Sequence, residues 1–71
     1  MWPKSEIQML KQIAYGYPEV EEIQQHLTAL NVHLNNFDKI NSIPKKNGVW
    51  KEVEREAENI KALLASMHVE V

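Results

Sequence analysis

The feature that most constrains this chain is a stripe of apolar residues in its C-terminal third. Successive members lie alternately three and four positions apart, and they are Trp50, Val53, Ala57, Ile60, Leu64 and Met67, with Val71 next in the series. That spacing places the side chains on one face of an α-helix and excludes a β-strand, in which the faces alternate at every residue. The stripe therefore predicts a helix from Val49 to about Met67.

Two kinds of neighbour could cover this apolar stripe. The spacing is the heptad repeat of a coiled coil, and Glu56 and Lys61 stand where they could pair between parallel copies of the helix. The same spacing also suits an amphipathic helix that packs on its own domain. Because the chain has 71 residues and no cysteine, its core is small and no disulfide can stabilise it. We therefore expect self-association through the stripe, as a homodimer, with packing inside one chain as the alternative.

The N-terminal part of the chain carries a shorter helical pattern. Ser5 and Gln8 have the spacing of a capping box, in which each side chain satisfies a backbone donor at the helix start. Gly16 offers the left-handed conformation that often closes a helix. Together these signals predict a first helix over residues 5 to 15.

Further signals divide the middle of the chain. A second helix is expected to begin at Pro18 and to stop near Asn31, where asparagines that favour caps and turns start to cluster. Apolar residues at every third position predict a short third helix over residues 34 to 40. The stretch 44 to 48, Pro-Lys-Lys-Asn-Gly, predicts a turn. The fold class is therefore all-α, with a small trihelical bundle followed by a longer C-terminal amphipathic helix.

The N-terminal third also contains a recognisable order of residue types: a tryptophan before the first helix, an acidic residue, an apolar residue, a glycine that ends the helix and an apolar pair in the second helix. The residues in question are Trp2, Glu6, Leu10, Gly16, Ile23 and Leu27. This order resembles the Myb or SANT-like helix-turn-helix domains and their homeodomain-like relatives. The chain length predicts a single domain over residues 1–71. Within it, the resemblance implies a helix-turn-helix-like part at 1–43, and the apolar stripe predicts a packing or dimerising helix at 49–68.

By the same resemblance, the third predicted helix occupies the position that reads DNA in that family. Lysines of the following turn and helix could hold phosphates, or they could form the rim of a protein contact anchored by Trp50. The candidate residues for contact with a nucleic acid or a protein partner are His33, Asn35, Asn36, Lys39, Asn41, Lys45, Lys46 and Lys51.

Charge is unevenly distributed along the chain. Residues 1–30 carry a net charge of -2, residues 31–51 carry +3 and residues 52–71 carry -3, which leaves -2 in total. Affinity for DNA comes largely from neutralising phosphates. A negative protein whose single arginine, Arg55, lies outside the basic segment is therefore expected to bind DNA weakly.

No arrangement of residues predicts catalysis. Glu22 and His26 lie four residues apart and could offer two metal ligands, but no zinc-binding motif accompanies them, and His26 is predicted to be a surface histidine. The serines have no partner histidine in sequence, and the chain has no glycine-rich phosphate loop. We expect no enzyme activity, no metal and no cofactor.

The first residues lack the apolar run of a signal peptide, and no segment is apolar for long enough to span a bilayer. The expected location is the cytoplasm, or the host cytoplasm if the protein is viral. Two functions follow from these features. The first is a small interaction module, of the kind a phage or mobile element encodes, that self-associates and binds or inhibits a host protein. The second is a helix-turn-helix transcription regulator associated with double-stranded DNA.

Overall fold

The computed structural model describes residues 1 to 70 and contains three α-helices. They are α1 (Lys4–Tyr15), α2 (Glu21–Lys39) and α3 (Ile43–Ser66). The prediction of an all-α fold is confirmed, and the part of the chain that is described has no β-strand. The predicted continuation of the apolar stripe at Val71 lies outside the described residues.

All three helices contribute to one hydrophobic core. Apolar residues at helical spacing point inward from each of them, and burial of one large aliphatic side chain stabilises a fold by roughly 1.5–3 kcal/mol. The buried residues are Ile7, Leu10 and Ala14 of α1, Ile23, Leu27, Leu30 and Leu34 of α2, and Val53, Ala57, Ile60 and Leu64 of α3. Helices α2 and α3 form an antiparallel hairpin through a connection of only three residues, and α1 packs against both of them.

The middle of the chain differs from its predicted structure. The second helix does not stop near Asn31, and residues 34 to 40 do not form a helix of their own, because α2 continues unbroken to Lys39. The physical reason is that Leu30 and Leu34 both face the core across the predicted break. An asparagine costs a helix only about 0.5 kcal/mol, which is less than the burial of one leucine contributes.

The predicted turn at residues 44 to 48 is also wrong, because these residues form the first turns of α3. Pro44 fits there, since the first turn of a helix needs no amide hydrogen from it. The amide of Lys46 already donates to the Ser42 carbonyl at 2.8 Å, which places it in the helical hydrogen-bond ladder. The connection between α2 and α3 is therefore residues 40 to 42, and α3 begins six residues before the predicted position.

The two ends of α1 are formed differently from the prediction. The Ser5 and Gln8 capping box is absent, because the helix begins after Pro3, whose carbonyl accepts the amides of Glu6 and Ile7 at 3.1 and 3.2 Å. Ser5 thus lies inside the first turn. Gly16 does follow the last helical residue, but its φ of -73° is right-handed rather than left-handed.

The left-handed position lies instead at the end of α3. His68 has a φ of 63°, its amide donates to the Ala65 carbonyl at 3.0 Å, and the Val69 amide donates to the Leu64 carbonyl at 2.9 Å. This pair of hydrogen bonds is a Schellman motif, which usually places glycine at the left-handed residue. Val69 packs against the core beyond the helix, as the motif requires.

Candidate interaction surface

A groove of about 340 Å³ opens where the N-terminal segment meets the hairpin of α2 and α3. Its walls come from three stretches that are far apart in sequence: the first four residues, the end of α2 and the start of α3. The lining residues are Met1, Trp2, Pro3, Lys4, Phe37, Asn47 and Trp50, and we call this site the aromatic groove.

Trp2 is fixed in the groove by two carboxylates of α3. Its backbone amide donates to Glu54 Oε2 at 2.6 Å, and its indole Nε1 donates to Glu58 Oε1 at 2.8 Å. Lys61 Nζ lies 5.6 Å from the centre of the indole ring, within the range of a cation–π contact. These contacts hold the N-terminal segment against α3, with the tryptophan partly buried on the core.

The opposite wall is an aromatic pair stabilised by a lysine. The rings of Phe37 and Trp50 are tilted by 54° with their centres 5.1 Å apart. Lys46 Nζ lies 4.2 Å from the centre of the Phe37 ring and donates to the Phe37 carbonyl at 3.0 Å, which satisfies one of the last carbonyls of α2. The groove therefore has this aromatic pair on one wall and the N-terminal segment with Trp2 on the other, and none of the three aromatic side chains is fully buried.

The end of the hairpin concentrates the positive charge of the chain. We call residues 37–51 the basic tip, because four lysines and a single acidic residue, Asp38, lie on this segment. Lys4 of α1 reaches the tip, with its Nζ 3.8 Å from Asp38 Oδ1. The lysines of the tip are Lys39, Lys45, Lys46 and Lys51, and all but Lys46 are exposed.

An acidic surface lies at the other end of α2. Glu19, Glu21 and Glu22 are all exposed there, at the start of the helix. The 19 residues of α2 separate them from the basic tip by roughly 28 Å, in a molecule whose longest dimension is 38 Å. The three glutamates and the lysines of the basic tip therefore lie at opposite ends of α2.

The predicted contact residues are gathered at one end of the molecule but do not form a single reading helix. His33, Asn35, Asn36 and Lys39 belong to the second half of α2, where His33 is half-buried and the other three are exposed. Asn41 is exposed in the connection, and Lys45, Lys46 and Lys51 are on α3. Because Lys45 and Lys51 are six residues apart, they point about 120° away from each other around α3.

The residues predicted for self-association lie mostly inside the chain. Val53, Ala57, Ile60 and Leu64 have no exposed surface, since α1 and α2 cover them. Trp50 is half-buried in the aromatic groove, and Met67 is 37% exposed at the far end of the stripe. A second copy could reach the four central side chains only if α3 left its own core.

The sequence did not predict the polar pair that His26 of α2 and Glu56 of α3 form. Glu56 is the one buried charged residue among those described, and its Oε2 lies 2.8 Å from His26 Nδ1, a distance at which the imidazole N–H donates to the carboxylate. His26 is therefore half-buried and paired rather than a surface residue. The two positions are 30 residues apart, so only the register of the two helices could have linked them.

Groove residues other than Trp50 were also missed as site residues. They include Trp2 and Phe37, because the sequence alone does not show that these two residues line the same groove. Residues 1 to 70 contain no group of three or more metal-ligating side chains, and no described helix is long and apolar enough to cross a membrane. Comparison with known proteins found no matching family, no matching curated protein and no matching solved structure.

Proposed function

We propose that this chain is a small non-enzymatic interaction module, of the kind a phage or mobile element encodes, that self-associates and binds or inhibits a host protein. The observation that carries the proposal is the aromatic groove, whose Trp2, Phe37 and Trp50 are held in place yet partly exposed. Tryptophan and other aromatic side chains are enriched among the residues that dominate binding energy at protein interfaces. Their placement around a concave surface suits the insertion of a partner side chain.

The test uses two variants of α3 that carry the same substitution. Asn47→Trp fills the groove from its exposed rim, whereas Asn59→Trp adds the same ring at an exposed position outside the groove. A partner is first captured from an extract of the source cell and purified, and its affinity is then measured by calorimetry. We expect at least a tenfold loss for Asn47→Trp and no change for Asn59→Trp. Equal binding by both variants, or no partner at all, would refute the proposal.

Self-association remains part of this proposal, but the burial of the α3 stripe in the core limits how a homodimer can form. A homodimer formed through the stripe of α3 requires two copies to exchange that helix, because its central residues are already buried in one chain. Analytical ultracentrifugation at micromolar protein concentration measures the oligomeric state directly. A particle of about twice the 8.3 kDa chain mass would support a homodimer, whereas a monomer over the whole concentration range would remove this part.

The alternative function, a DNA-associated regulator, is favoured by the separation of charge between the two ends of α2. If the four lysines of the basic tip each neutralise one phosphate, affinity for a DNA duplex should fall roughly 100-fold between about 50 mM and about 200 mM salt. Fluorescence anisotropy with a labelled duplex measures this dependence. Absence of binding at the lower salt concentration would eliminate the alternative.

A further inference from the structure

We infer that the aromatic groove and the basic tip act as one docking site for an acidic segment of a partner protein, which inserts an apolar side chain between Trp2 and the pair of Phe37 and Trp50. This inference rests on the proposed function and specifies the chemistry of the partner. The two surfaces are continuous, because Phe37, Asn47 and Trp50 belong both to the groove lining and to the tip.

The size of the groove favours a short segment. A volume of about 340 Å³ lies at the lower end of the range of about 300–1,000 Å³ that ligand pockets occupy. That space accommodates one or two large side chains. The partner therefore makes its apolar contact through a single anchor, and its remaining contacts fall on the rim.

The charges around the groove leave a positive excess on the side of the tip. Asp38 lies beside Lys4 and Glu52 beside Arg55, whereas Glu54 and Glu58, on α3 beyond the tip, accept hydrogen bonds from Trp2 rather than form ion pairs. Three lysines of the basic tip are exposed and make no ion pair with any residue from 1 to 70. They are Lys39, Lys45 and Lys51. A segment that carries aspartate or glutamate beside its anchor is the complement of this surface.

A protein segment fits these observations better than a nucleic acid does. Lys45 and Lys51 point to different sides of α3, so they do not follow one phosphate backbone, and Lys46 is engaged with Phe37. No arginine lies in the tip. Lys46 and Lys51 instead flank the face of α3 that presents Asn47 and Trp50 to the groove, whereas Lys39 and Lys45 project from the opposite sides of their helices. An apolar centre with charged side chains beside it is the arrangement found at protein interfaces.

A second copy of the chain fits less well than a foreign segment. Its acidic end has the required charge, but Tyr17 and Val20 beside those glutamates are half-buried on their own core. Tyr15, which is 51% exposed, accepts a hydrogen bond from Asn31 through its hydroxyl. The glutamates at the start of α2 therefore have no exposed large apolar side chain within two residues that could enter the groove.

The test selects short random peptides displayed on phage against the immobilised full chain, with Asn47→Trp as the groove-blocked variant and Asn59→Trp as its control. We expect the wild type and Asn59→Trp to enrich peptides in which acidic residues flank one aromatic or aliphatic residue, and Asn47→Trp to enrich none of them. Circular dichroism and thermal melting confirm that all three proteins are equally folded.

One selected peptide is then synthesised, and its affinity is measured for the wild type, for Lys51→Glu and for Lys45→Glu, which makes the same change on the side of α3 turned away from the groove. Both lysines are exposed and lie outside the core, so both variants are expected to fold. Lys51→Glu should weaken binding by roughly 3- to 10-fold and Lys45→Glu should leave it nearly unchanged, since exposed charges act weakly and locally. The same weakening should appear when the salt concentration is raised.

The other results separate the two proposals. Enrichment of neutral or basic apolar peptides that Asn47→Trp abolishes would overturn the acidic partner and leave the proposed function standing. If no peptide is sensitive to Asn47→Trp, the groove is not a docking site and both proposals fail. Tight duplex DNA binding that depends on the tip lysines but not on Asn47→Trp would point to a nucleic acid. Self-association that Asn47→Trp blocks would point to a second copy.

Discussion

The two halves of the hairpin formed by α2 and α3 are built in different ways. Where α1 covers the hairpin, both helices bury leucine, isoleucine and valine completely, whereas none of residues 35 to 52 is fully buried. The uncovered half carries aromatic rings, asparagines and lysines instead. The difference indicates a division in which the covered half supplies the buried core and the basic tip keeps partly exposed apolar surface.

The largest expected difference between the two halves is the loss of stability when a buried side chain and an exposed side chain of similar size are truncated. Ile60→Ala should lower the free energy of unfolding by about 2–5 kcal/mol, because it leaves a cavity between all three helices. Ile43→Ala in the uncovered half, where the isoleucine is 71% exposed at the start of α3, should cost less than about 0.5 kcal/mol. Urea unfolding followed by circular dichroism measures both values, and similar losses at the two positions would contradict the division.

The next effect concerns the polar pair inside the covered half. His26→Ala should destabilise the fold by roughly 1–2 kcal/mol, because it leaves the buried Glu56 carboxylate without its hydrogen-bond donor. His26→Gln, which keeps a donor on a side chain of comparable length, should lose less. The midpoint of urea unfolding distinguishes the two variants, and an equal loss would show that packing rather than the hydrogen bond is responsible.

In the basic tip, Phe37→Leu should cost only about 1 kcal/mol. The leucine keeps part of the apolar contact and loses the tilted ring pair with Trp50 and the lysine contact. Thermal unfolding measures the stability, while the tryptophan emission of Trp50 reports the change of environment. A loss as large as that of Ile60→Ala would show that the tip belongs to the core.

The smallest effect has the opposite sign. Gly48 is helical, and a Cβ atom built there meets nothing within 4 Å, so Gly48→Ala should stabilise the protein by about 1 kcal/mol. Gly16→Ala is the matched control, because its Cβ atom would lie 3.1 Å from the Ile13 carbonyl oxygen. It should give a smaller gain or a loss. A gain at Gly16 that equals the gain at Gly48 would rule out this steric explanation.

Helical spacing was enough to predict the helical fold class and the buried face of α3. Helical spacing did not predict the helix boundaries between Asn31 and Gly48. Asparagine, proline and glycine favour turns there, but at positions that a helix tolerates this preference is worth only about 1 kcal/mol or less. Burial of Leu34 outweighs these preferences. In the same region, Pro44 is compatible with the first turn of a helix.

The candidate site was predictable only in part, for a different reason. Trp50 and the lysines around it were identified as a possible protein contact, since all of them belong to one stretch of sequence. The opposite wall depends on Trp2, which reaches Glu54 and Glu58 across 52 and 56 positions. Local patterns contain no information about which helix register brings such residues together.

The long sequence separation between Trp2 and its partners on α3 affects the order in which the chain folds. The connections between helices are short, so most helix contacts form between neighbouring segments, and such proteins fold in microseconds to milliseconds. The hydrogen bonds of Trp2 join residues that are 52 and 56 positions apart, so they require the closure of a long loop. We therefore expect the N-terminal segment around Trp2 to dock on α3 last during folding. It should also detach first, by local unfolding that leaves α2 and α3 intact. Hydrogen exchange at the Trp2 amide as slow as at the Leu30 amide would contradict this order.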